Sequence, residues 1–408
     1  MMKHKIAMLT AGGLAPCISA CVGRLIKKYS EQVPEAEIIG YLHGYQGLLL
    51  GKSIKINDSI RQKCEVLYEY GGSVLGNSRV KLSNVKDCVK KGLVKPGQNP
   101  LHVAAERLRK DGVTILHTIG GDDTNTTAAH LSAYLEENGY DLTVIGLPKT
   151  IDNDVIPIKQ TLGALTAAEQ TAIFFENMVN ENTTSPRQLL IHEVMGRNCG
   201  WLTAASAYEF RERLKKRKFL PEFLLNRERW EIDAIYLPEL HYDFDEEVER
   251  LLKRMDENDC VNIFISEGAG VERIVAQLEA EGEEIKRDAF GHVRLDEINV
   301  GEWYGERFAK HLDAKKTLVL KSGYFARSAA PNKKDLDLIF KTCDQAVQFG
   351  LNGESGVVGQ DEDYDGEMRC IEFERIKGGK PFDITQPWFK QMLKEIGQAE
   401  VEMYPYGQ

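Results

Sequence analysis

Runs of apolar residues alternate with segments of helical periodicity along the first part of the chain. Four of these runs have the length and composition of strands: 5–10, 37–42, 113–119 and 142–147. Between them, the pattern predicts helices over about 16–29 and 124–137. Strands that are apolar along nearly their whole length are typical of sheets buried on both faces. The pattern therefore predicts an α/β fold with a mainly parallel sheet covered by helices.

A second series of the same kind begins after residue 160. Its predicted helices cover about 161–180 and 200–210, and its predicted strands cover 188–193, 234–237, 261–266 and 317–320. No internal sequence repeat is evident. The chain is therefore expected to form two α/β lobes.

Charge excludes several classes of partner. The chain has 408 residues and a formal net charge of −10 at pH 7, whereas nucleic acids and anionic membrane surfaces select basic faces. No apolar run approaches the roughly 20 residues of a membrane span, and the first residues lack the apolar core of a signal peptide. We therefore expect a cytoplasmic protein with no nucleic-acid and no membrane partner. Local lysines and arginines would then bind any anionic substrate.

Two further patterns have more than one interpretation. The 8 cysteines include no C-x-x-C pair, and Cys17 and Cys21 lie one helical turn apart. They are either packing residues or a redox pair, and helix geometry favours packing. The basic run 211–218 either contacts a phosphate or another subunit or is a solvated helix end, and the last interpretation is favoured.

Two loops that follow neighbouring strands carry the candidate chemistry. They read Gly120-Gly121-Asp122-Asp123-Thr124-Asn125 and Pro148-Lys149-Thr150-Ile151-Asp152-Asn153-Asp154. Adjacent carboxylates such as Asp122 and Asp123 repel each other unless a cation binds. Magnesium with a polyphosphate meets that need, although the aspartates could instead only cap the following helix. Because both loops leave carboxyl ends of parallel strands, they predict one phosphoryl-transfer crevice.

Other strand ends add groups that suit phosphates and sugars. The turn containing Gly12 and Gly13 joins a strand to a helix, so its N–H groups either form an anion site or only make a tight turn. Its spacing matches neither the dinucleotide fingerprint nor the Walker A loop. In the second lobe, strand ends carry Met195-Gly196-Arg197, Glu267 and Tyr324-Phe325-Ala326-Arg327. An arginine for a phosphate and a carboxylate for hydroxyls predict a sugar-phosphate site.

In order and spacing, these motifs resemble the phosphofructokinase family, and specifically its pyrophosphate-dependent branch. The resemblance covers most of the chain and is most specific at Thr150-Ile151-Asp152-Asn153-Asp154 and Met195-Gly196-Arg197. It implies two similar Rossmann-like lobes with mainly parallel sheets. A phosphate-donor lobe would comprise 1–160, completed by a later segment of about 325–390. A sugar-phosphate lobe would comprise 161–325, with an insertion at about 211–260.

The resemblance also assigns roles to residues. Asp152 would accept the proton of the 1-hydroxyl of fructose 6-phosphate, and Asp122 would bind Mg²⁺. The donor would be bound by Gly13, Arg79, Gly121, Asp123 and Thr124. The sugar phosphate would be bound by Thr150, Ile151, Asp152, Met195, Gly196, Arg197, Glu267, Tyr324, Phe325, Ala326 and Arg327.

Two residues predicted to be catalytic, Asp123 and Lys149, are expected to determine which phosphate donor is used. Relatives that use ATP typically carry glycine at the positions of Asp123 and Lys149. The Asp123 carboxylate would repel the α-phosphate of ATP, while Lys149 would stabilise charge on the transferring and leaving phosphates. The implied reaction is reversible phosphorylation of fructose 6-phosphate by pyrophosphate, in glycolysis or gluconeogenesis. The alternatives are an ATP-dependent kinase and a non-catalytic regulatory subunit.

The resemblance has three open points. The first loop reads Ala15-Pro16-Cys17-Ile18-Ser19 where the family usually shows Pro-Gly-x-Asn, so approach of the donor at Cys17 is less open. The resemblance implies a homodimer or homotetramer in which the neighbouring subunit supplies an arginine to the sugar-phosphate site. Arg187 is the candidate for that arginine, but it lies one position from the usual spacing. A further basic contact to the sugar phosphate is Lys315, Lys316 or Lys321.

Overall fold

The computed structural model describes residues 4–280, 282 and 298–398. The chain divides into two compact units. The first comprises Met1–Ala167 and Arg327–Lys380, and the second comprises Ala168–Ala326 and Pro381–Gln408. Each unit is an α/β structure with a mainly parallel sheet, which confirms the predicted fold class.

The first unit is built on an 8-stranded sheet in the order β12-β11-β5-β4-β1-β2-β3, with β6 paired to β5. Its strands are β1 (Lys5–Thr10), β2 (Glu37–Tyr41), β3 (Ser53–Lys55), β4 (Ile115–Gly120), β5 (Thr143–Thr150), β6 (Leu162–Gly163), β11 (Gly356–Asp361) and β12 (Glu367–Ile371). The central pairs β2-β1, β1-β4, β4-β5 and β5-β11 are parallel, and the edge strands β3 and β12 are antiparallel. The ends of β4 and β5 therefore lie at one edge of the sheet.

Helices flank this sheet because its central strands are buried on both faces. They are α1 (Ile18–Gln32), α2 (Tyr45–Leu50), α3 (Asp58–Lys63), α4 (Val85–Lys90), α5 (Pro100–Lys110), α6 (Asp122–Glu137) and α13 (Lys333–Asn352), while α7 (Ala164–Met178) spans the sequence boundary of the units. Short 3-10 helices occupy Cys64–Glu69, Val179–Thr183, Pro221–Phe223, Arg227–Trp230, Glu362–Tyr364 and Phe373–Arg375.

The second unit contains a four-stranded parallel sheet in the order β10-β7-β9-β8. Its strands are β7 (Gln188–Val194), β8 (Ala234–Tyr236), β9 (Cys260–Ser266) and β10 (Lys316–Lys321). Its helices are α8 (Trp201–Leu214), α9 (Phe244–Asn258), α10 (Val271–Ala280), α11 (Val300–His311), α12 (Gly323–Arg327) and α14 (Pro387–Glu395). Residues 195–197 and 267 therefore follow the carboxyl ends of neighbouring strands, as the sequence pattern predicted.

Helix α6 begins two residues earlier than the sequence pattern predicted. The prediction started it at about Thr124, but Gly121 is the N-cap and Asp122 and Asp123 occupy the first turn. The Gly121 carbonyl accepts hydrogen bonds from the N–H groups of Thr124 and Asn125, at 3.1 and 3.0 Å. Carboxylates in a first turn are stabilised by the helix dipole, so the two aspartates belong to the helix and not to the loop before it.

The segment that completes the first unit is shorter than the predicted 325–390. Residues after Lys380 belong to the second unit, because they bond to its strands and loops. The Phe382 N–H donates to Glu239 Oε1 at 2.8 Å, and the Gln398 side chain bonds both the N–H and the C=O of Ile235 in β8. These polar contacts have no simple signature in the sequence.

The two ambiguous sequence patterns have structural roles. Cys17 and Cys21 are free thiols with no exposed surface, which confirms packing over a redox pair. In the basic run, Arg211 is buried between Glu231 and Glu395 at 2.8 and 2.6 Å. The interpretation as a solvated helix end is therefore wrong for Arg211, which joins α8 to α14. Within the described ranges, no helix is long and apolar enough to cross a membrane.

Asp335 is a buried carboxylate that fixes the end of β6, which pairs with Lys149 and Thr150 of β5. Its two oxygens accept hydrogen bonds from the N–H groups of Gly163 and Thr166, at 3.0 and 2.9 Å, and from the Thr166 hydroxyl. Asp335→Ala would remove the acceptor of these three buried donors, so we expect a loss of about 3 kcal/mol in the free energy of unfolding. Urea denaturation followed by circular dichroism measures this change. The exposed Asp337→Ala is the matched control on the same helix, and equal losses in both variants would contradict the prediction.

Candidate functional site

A polar cavity of about 250 Å³ lies in the first unit, at the carboxyl ends of β1, β4 and β5. It brings together all of the residues predicted for the donor and for catalysis. Its lining residues are Ala11, Gly12, Gly13, Leu14, Ala15, Ser78, Arg79, Val80, Lys81, Gly121, Asp122, Asp123, Thr124, Lys149, Thr150, Ile151, Asp152 and Arg327. Four cations and three carboxylates thus share one small crevice, which is the environment that the sequence predicted for a polyphosphate.

The Gly12-Gly13 turn requires glycine at its first position, and its second glycine lies against the end of the Arg327 side chain. Gly12 has φ +81°, which side chains rarely adopt, and a Cβ on Gly13 would lie 2.9 Å from Arg327 Nη1. The Gly12 N–H donates to Ser78 O at 3.0 Å, and Asn77 Nδ2 donates to Gly12 O at 3.2 Å. The turn is therefore held by the segment that carries Arg79, and its backbone faces the cavity. Cys17 is fully buried below it.

Lys149 is the most buried cation of the cavity, with 4% of its surface exposed. Its Nζ donates to Gly13 O at 2.7 Å. Burial lowers the pKa of Lys149 to about 8, because desolvation disfavours the ammonium form, and Arg327 and Arg79 lower it further while Asp152 opposes them. A lysine with a depressed pKa in a cleft is characteristic of a functional group.

Three carboxylates lie near Lys149. Asp122 and Asp152 line the cavity, and the Asp152 N–H donates to the Thr150 hydroxyl at 3.2 Å, which orients the loop. The pKa of Asp154 is raised by burial and also by the negative charge of Asp122. A bound cation would relieve that repulsion. The donor set consists of hard carboxylate oxygens, which fits Mg²⁺.

Within the described part of the chain, no cluster of three or more acidic, histidine or cysteine ligands is poised to hold a metal by itself. Mg²⁺ commonly uses one or two carboxylates together with water and substrate phosphates. Asp122 is therefore a suitable ligand for a magnesium ion that arrives with a phosphate donor.

Lys81 is a lining residue that the sequence interpretation missed. Its Nζ lies 2.6 Å from Asp123 Oδ1, so the residue expected to choose the donor already has a cationic partner. Arg79 and Lys81 are two positions apart, and alternate residues of an extended segment face the same side. That spacing was the available signal, but it becomes informative only once Arg79 is placed in the cavity.

The predicted sugar-phosphate residues of the second unit gather at the carboxyl ends of β7 and β9. The Gly196 N–H donates to Glu267 Oε1 at 3.2 Å, and the Glu267 N–H donates to Val194 O at 2.8 Å. A Cβ on Gly323 would lie 2.9 Å from Met195 Sδ, so the turn before Tyr324 packs on the same strand end. The structure therefore groups Met195, Gly196 and Glu267 with the start of α12.

Members of the predicted sugar-phosphate set differ in what they offer. Tyr324 is 84% exposed, whereas Ala326 and Ile151 are buried. Arg327 belongs to the first unit, and its Nη1 donates to Leu14 O at 3.0 Å. Its guanidinium thus lines the cavity that was predicted for the donor.

The basic residues left open by the sequence are separated by their places in the second sheet. Lys315 pairs with Asp313 at 2.8 Å and Lys316 pairs with Glu181, both at the amino end of β10. Lys321 lies at the carboxyl end and pairs with Glu193 at 2.9 Å. Parallel sheets bind ligands at the carboxyl ends of their strands, so the geometry favours Lys321.

Arg187, considered for a contact to a neighbouring subunit, is fixed within its own unit. Its Nη1 donates to Asp256 Oδ1 at 2.7 Å, and its remaining nitrogens donate to the carbonyls of Leu312 and Asp313. These bonds give Arg187 a structural role between α9 and α11.

Comparison with known proteins agrees with this geometry. The family model described as phosphofructokinase matches residues 5–349. A pyrophosphate--fructose 6-phosphate 1-phosphotransferase of Methylomonas methanica is 60% identical over 396 residues, covering 97% of each chain. The enzyme of that name from Propionibacterium freudenreichii is 54% identical, covering 97% of this chain and 98% of its own. The crystal structure of a pyrophosphate-dependent phosphofructokinase from Marinobacter aquaeolei superposes with a TM-score of 0.70 at 18% identity, covering 99% of this chain and 94% of its own. The chain belongs to the phosphofructokinase family.

Proposed function

We propose that the protein transfers a phosphoryl group from pyrophosphate to the 1-hydroxyl of fructose 6-phosphate, reversibly, giving fructose 1,6-bisphosphate and phosphate. The observation that carries the proposal is the cavity of the first unit, where Lys149, Arg79 and Asp152 converge and Asp123 lines the wall. The names of the relatives at 60% and 54% identity support the same reaction.

The size and charge of the cavity favour a short donor. Its volume of about 250 Å³ is below the roughly 300–1,000 Å³ of typical sites for drug-sized ligands. Pyrophosphate has no nucleoside to accommodate, and its charge is matched by cations from three separate segments of the chain. An ATP molecule would have to extend past the carboxylate of Asp123, whose charge opposes an α-phosphate.

Each residue of the cavity has a separate role in the proposed phosphoryl transfer. The 1-hydroxyl oxygen forms a bond to phosphorus while the bond from phosphorus to the bridging oxygen breaks, and the Asp152 carboxylate accepts the hydroxyl proton. Lys149 and Arg79 neutralise charge on the phosphoryl oxygens and on the leaving phosphate. The N–H groups of the Gly12-Gly13 turn orient the donor.

Magnesium is part of this proposal. Asp122 would hold the ion, with Asp154 close enough for its charge to act on the same region. When bound, Mg²⁺ would neutralise phosphate charge. The sugar phosphate would be bound by the residues at the ends of β7 and β9, with Lys321 as the additional cation. We also propose a cytoplasmic homodimer or homotetramer.

A coupled assay with two donors tests the function. We expect turnover of fructose 6-phosphate with magnesium pyrophosphate and at least 100-fold lower kcat/KM with magnesium ATP, because Asp123 opposes the longer donor at a cost of about 3 kcal/mol. Production of fructose 1,6-bisphosphate is followed through aldolase and an NADH-linked reductase. Turnover with ATP alone would show that the donor is wrong, and inactivity with both donors would contradict the reaction itself.

A further inference from the structure

The pair formed by Lys81 and Asp123 lies on the wall of the donor cavity. The Lys81 Nζ and Asp123 Oδ1 atoms are 2.6 Å apart, and the two side chains are 46% and 65% exposed. Exposed pairs of this kind contribute only about 0–1 kcal/mol to folding. The ion pair therefore contributes little to the stability of the fold. Its main effect is expected on the binding of a donor in the cavity that both residues line.

Both backbone segments of the pair are fixed, whereas the side chains depend on each other. Lys81 lies between buried Val80 and Leu82, and its carbonyl accepts a hydrogen bond from the Asn84 N–H at 3.1 Å. The Asp123 carbonyl accepts a hydrogen bond from the Thr127 hydroxyl at 2.8 Å inside α6. Among the residues that the structure describes, Lys81 is the side chain that contacts the Asp123 carboxylate. Without it, a half-exposed carboxylate can rotate among its rotamers.

The pair also changes the charge that a donor encounters. Asp123 and Asp122 are adjacent in the first turn of α6 and both line the cavity. An unpaired Asp123 would repel every phosphate, including those of pyrophosphate. With Lys81 bound to it, the carboxylate occupies space and keeps its position while part of its charge is compensated.

We propose that Lys81 is a positioning residue that sets donor specificity by holding and neutralising Asp123. In this arrangement pyrophosphate meets a weaker repulsion, whereas a nucleoside triphosphate, whose α-phosphate would lie at Asp123, meets a carboxylate that is held in its path. The proposal rests on the proposed function, because it concerns binding of the donor in that reaction.

A double-mutant cycle with Lys81→Met and Asp123→Asn tests the proposal. We expect Lys81→Met to raise the KM for magnesium pyrophosphate about tenfold while kcat changes by less than about threefold, because chemistry at Lys149 and Asp152 is untouched. In the Asp123→Asn background, where no charge needs compensation, the same change should raise KM by no more than about twofold, a coupling typical of contacting residues. Lys81→Arg should leave the KM for magnesium pyrophosphate within about threefold of the wild type, because arginine keeps the positive charge.

Isothermal titration calorimetry with magnesium pyrophosphate measures the dissociation constants of the same variants, so the double-mutant cycle can also be built from binding in the absence of turnover. Lys91→Met, which removes a lysine paired with Asp87 on α4, is the control for loss of one surface charge. If Lys81→Met costs as much or more in the Asp123→Asn background, Lys81 contacts pyrophosphate directly and the proposal is wrong. An active wild-type enzyme with an additive cycle overturns this proposal alone, whereas a wild type that neither binds nor uses pyrophosphate overturns the proposed function with it.

Discussion

Replacing Asp152 by asparagine is expected to lower kcat by about 1,000-fold, the usual loss when a general base is removed. Asparagine has almost the same shape, so the bond from the residue 152 N–H to the Thr150 hydroxyl should persist. The amide cannot accept the proton of the attacking 1-hydroxyl. The loss should therefore appear in kcat, with the dissociation constant for pyrophosphate within about threefold of the wild type.

Stopped-assay turnover and calorimetric binding on the same preparation measure both quantities. Asp87→Asn on α4 is the matched control, since it removes one carboxylate of a surface ion pair outside the cavity. It should retain wild-type kcat. A kcat of Asp152→Asn within tenfold of the wild type would show that another group accepts the proton.

The elements that determine the site were largely predictable from the sequence. The strands β1, β4 and β5 are apolar runs of 6 to 8 residues, a pattern that favours a parallel sheet buried on both faces. The loops after β4 and β5 follow directly, because parallel strands present their carboxyl ends at one edge. The positions of Asp122, Lys149 and Asp152 were therefore accessible to sequence reasoning.

Features that depend on contacts distant in the sequence were not accessible. The start of α6 is decided by Gly121 and its carbonyl, which competes with the capping signal at Thr124. Lys81 and Asp123 form an ion pair although they are 42 positions apart in the sequence. The periodicity of apolar residues does not predict a contact of this kind. Arg327 was assigned from a motif, but its guanidinium bonds the carbonyl of Leu14 at the first turn.

Lys149 combines two properties that conflict unless a phosphate binds beside it. It must be cationic to stabilise a phosphoryl group, yet burial lowers its pKa to about 8. Below that pH the ammonium form predominates, and above it the neutral amine does. Because kcat/KM reports ionisations of the free enzyme, we expect kcat/KM for pyrophosphate to fall about tenfold per pH unit above 8. A bound anion favours the ammonium form, so the corresponding fall in kcat should occur at higher pH.

Lys149→Met is expected to lower kcat by about 100- to 1,000-fold, because it removes a preorganised charge from a site largely screened from water. The methionine side chain fills similar space beside the Gly12-Gly13 turn, although the bond from Nζ to Gly13 O is lost. The alkaline fall in kcat/KM near pH 8 should disappear from the residual activity of this variant, which separates loss of the charge from loss of packing. Lys91→Met, at the residue that follows α4, is the control and should keep both kcat and the fall in kcat/KM above pH 8. If kcat/KM of Lys149→Met still falls above pH 8 as in the wild type, a different group titrates there and the charge of Lys149 does not govern binding of pyrophosphate.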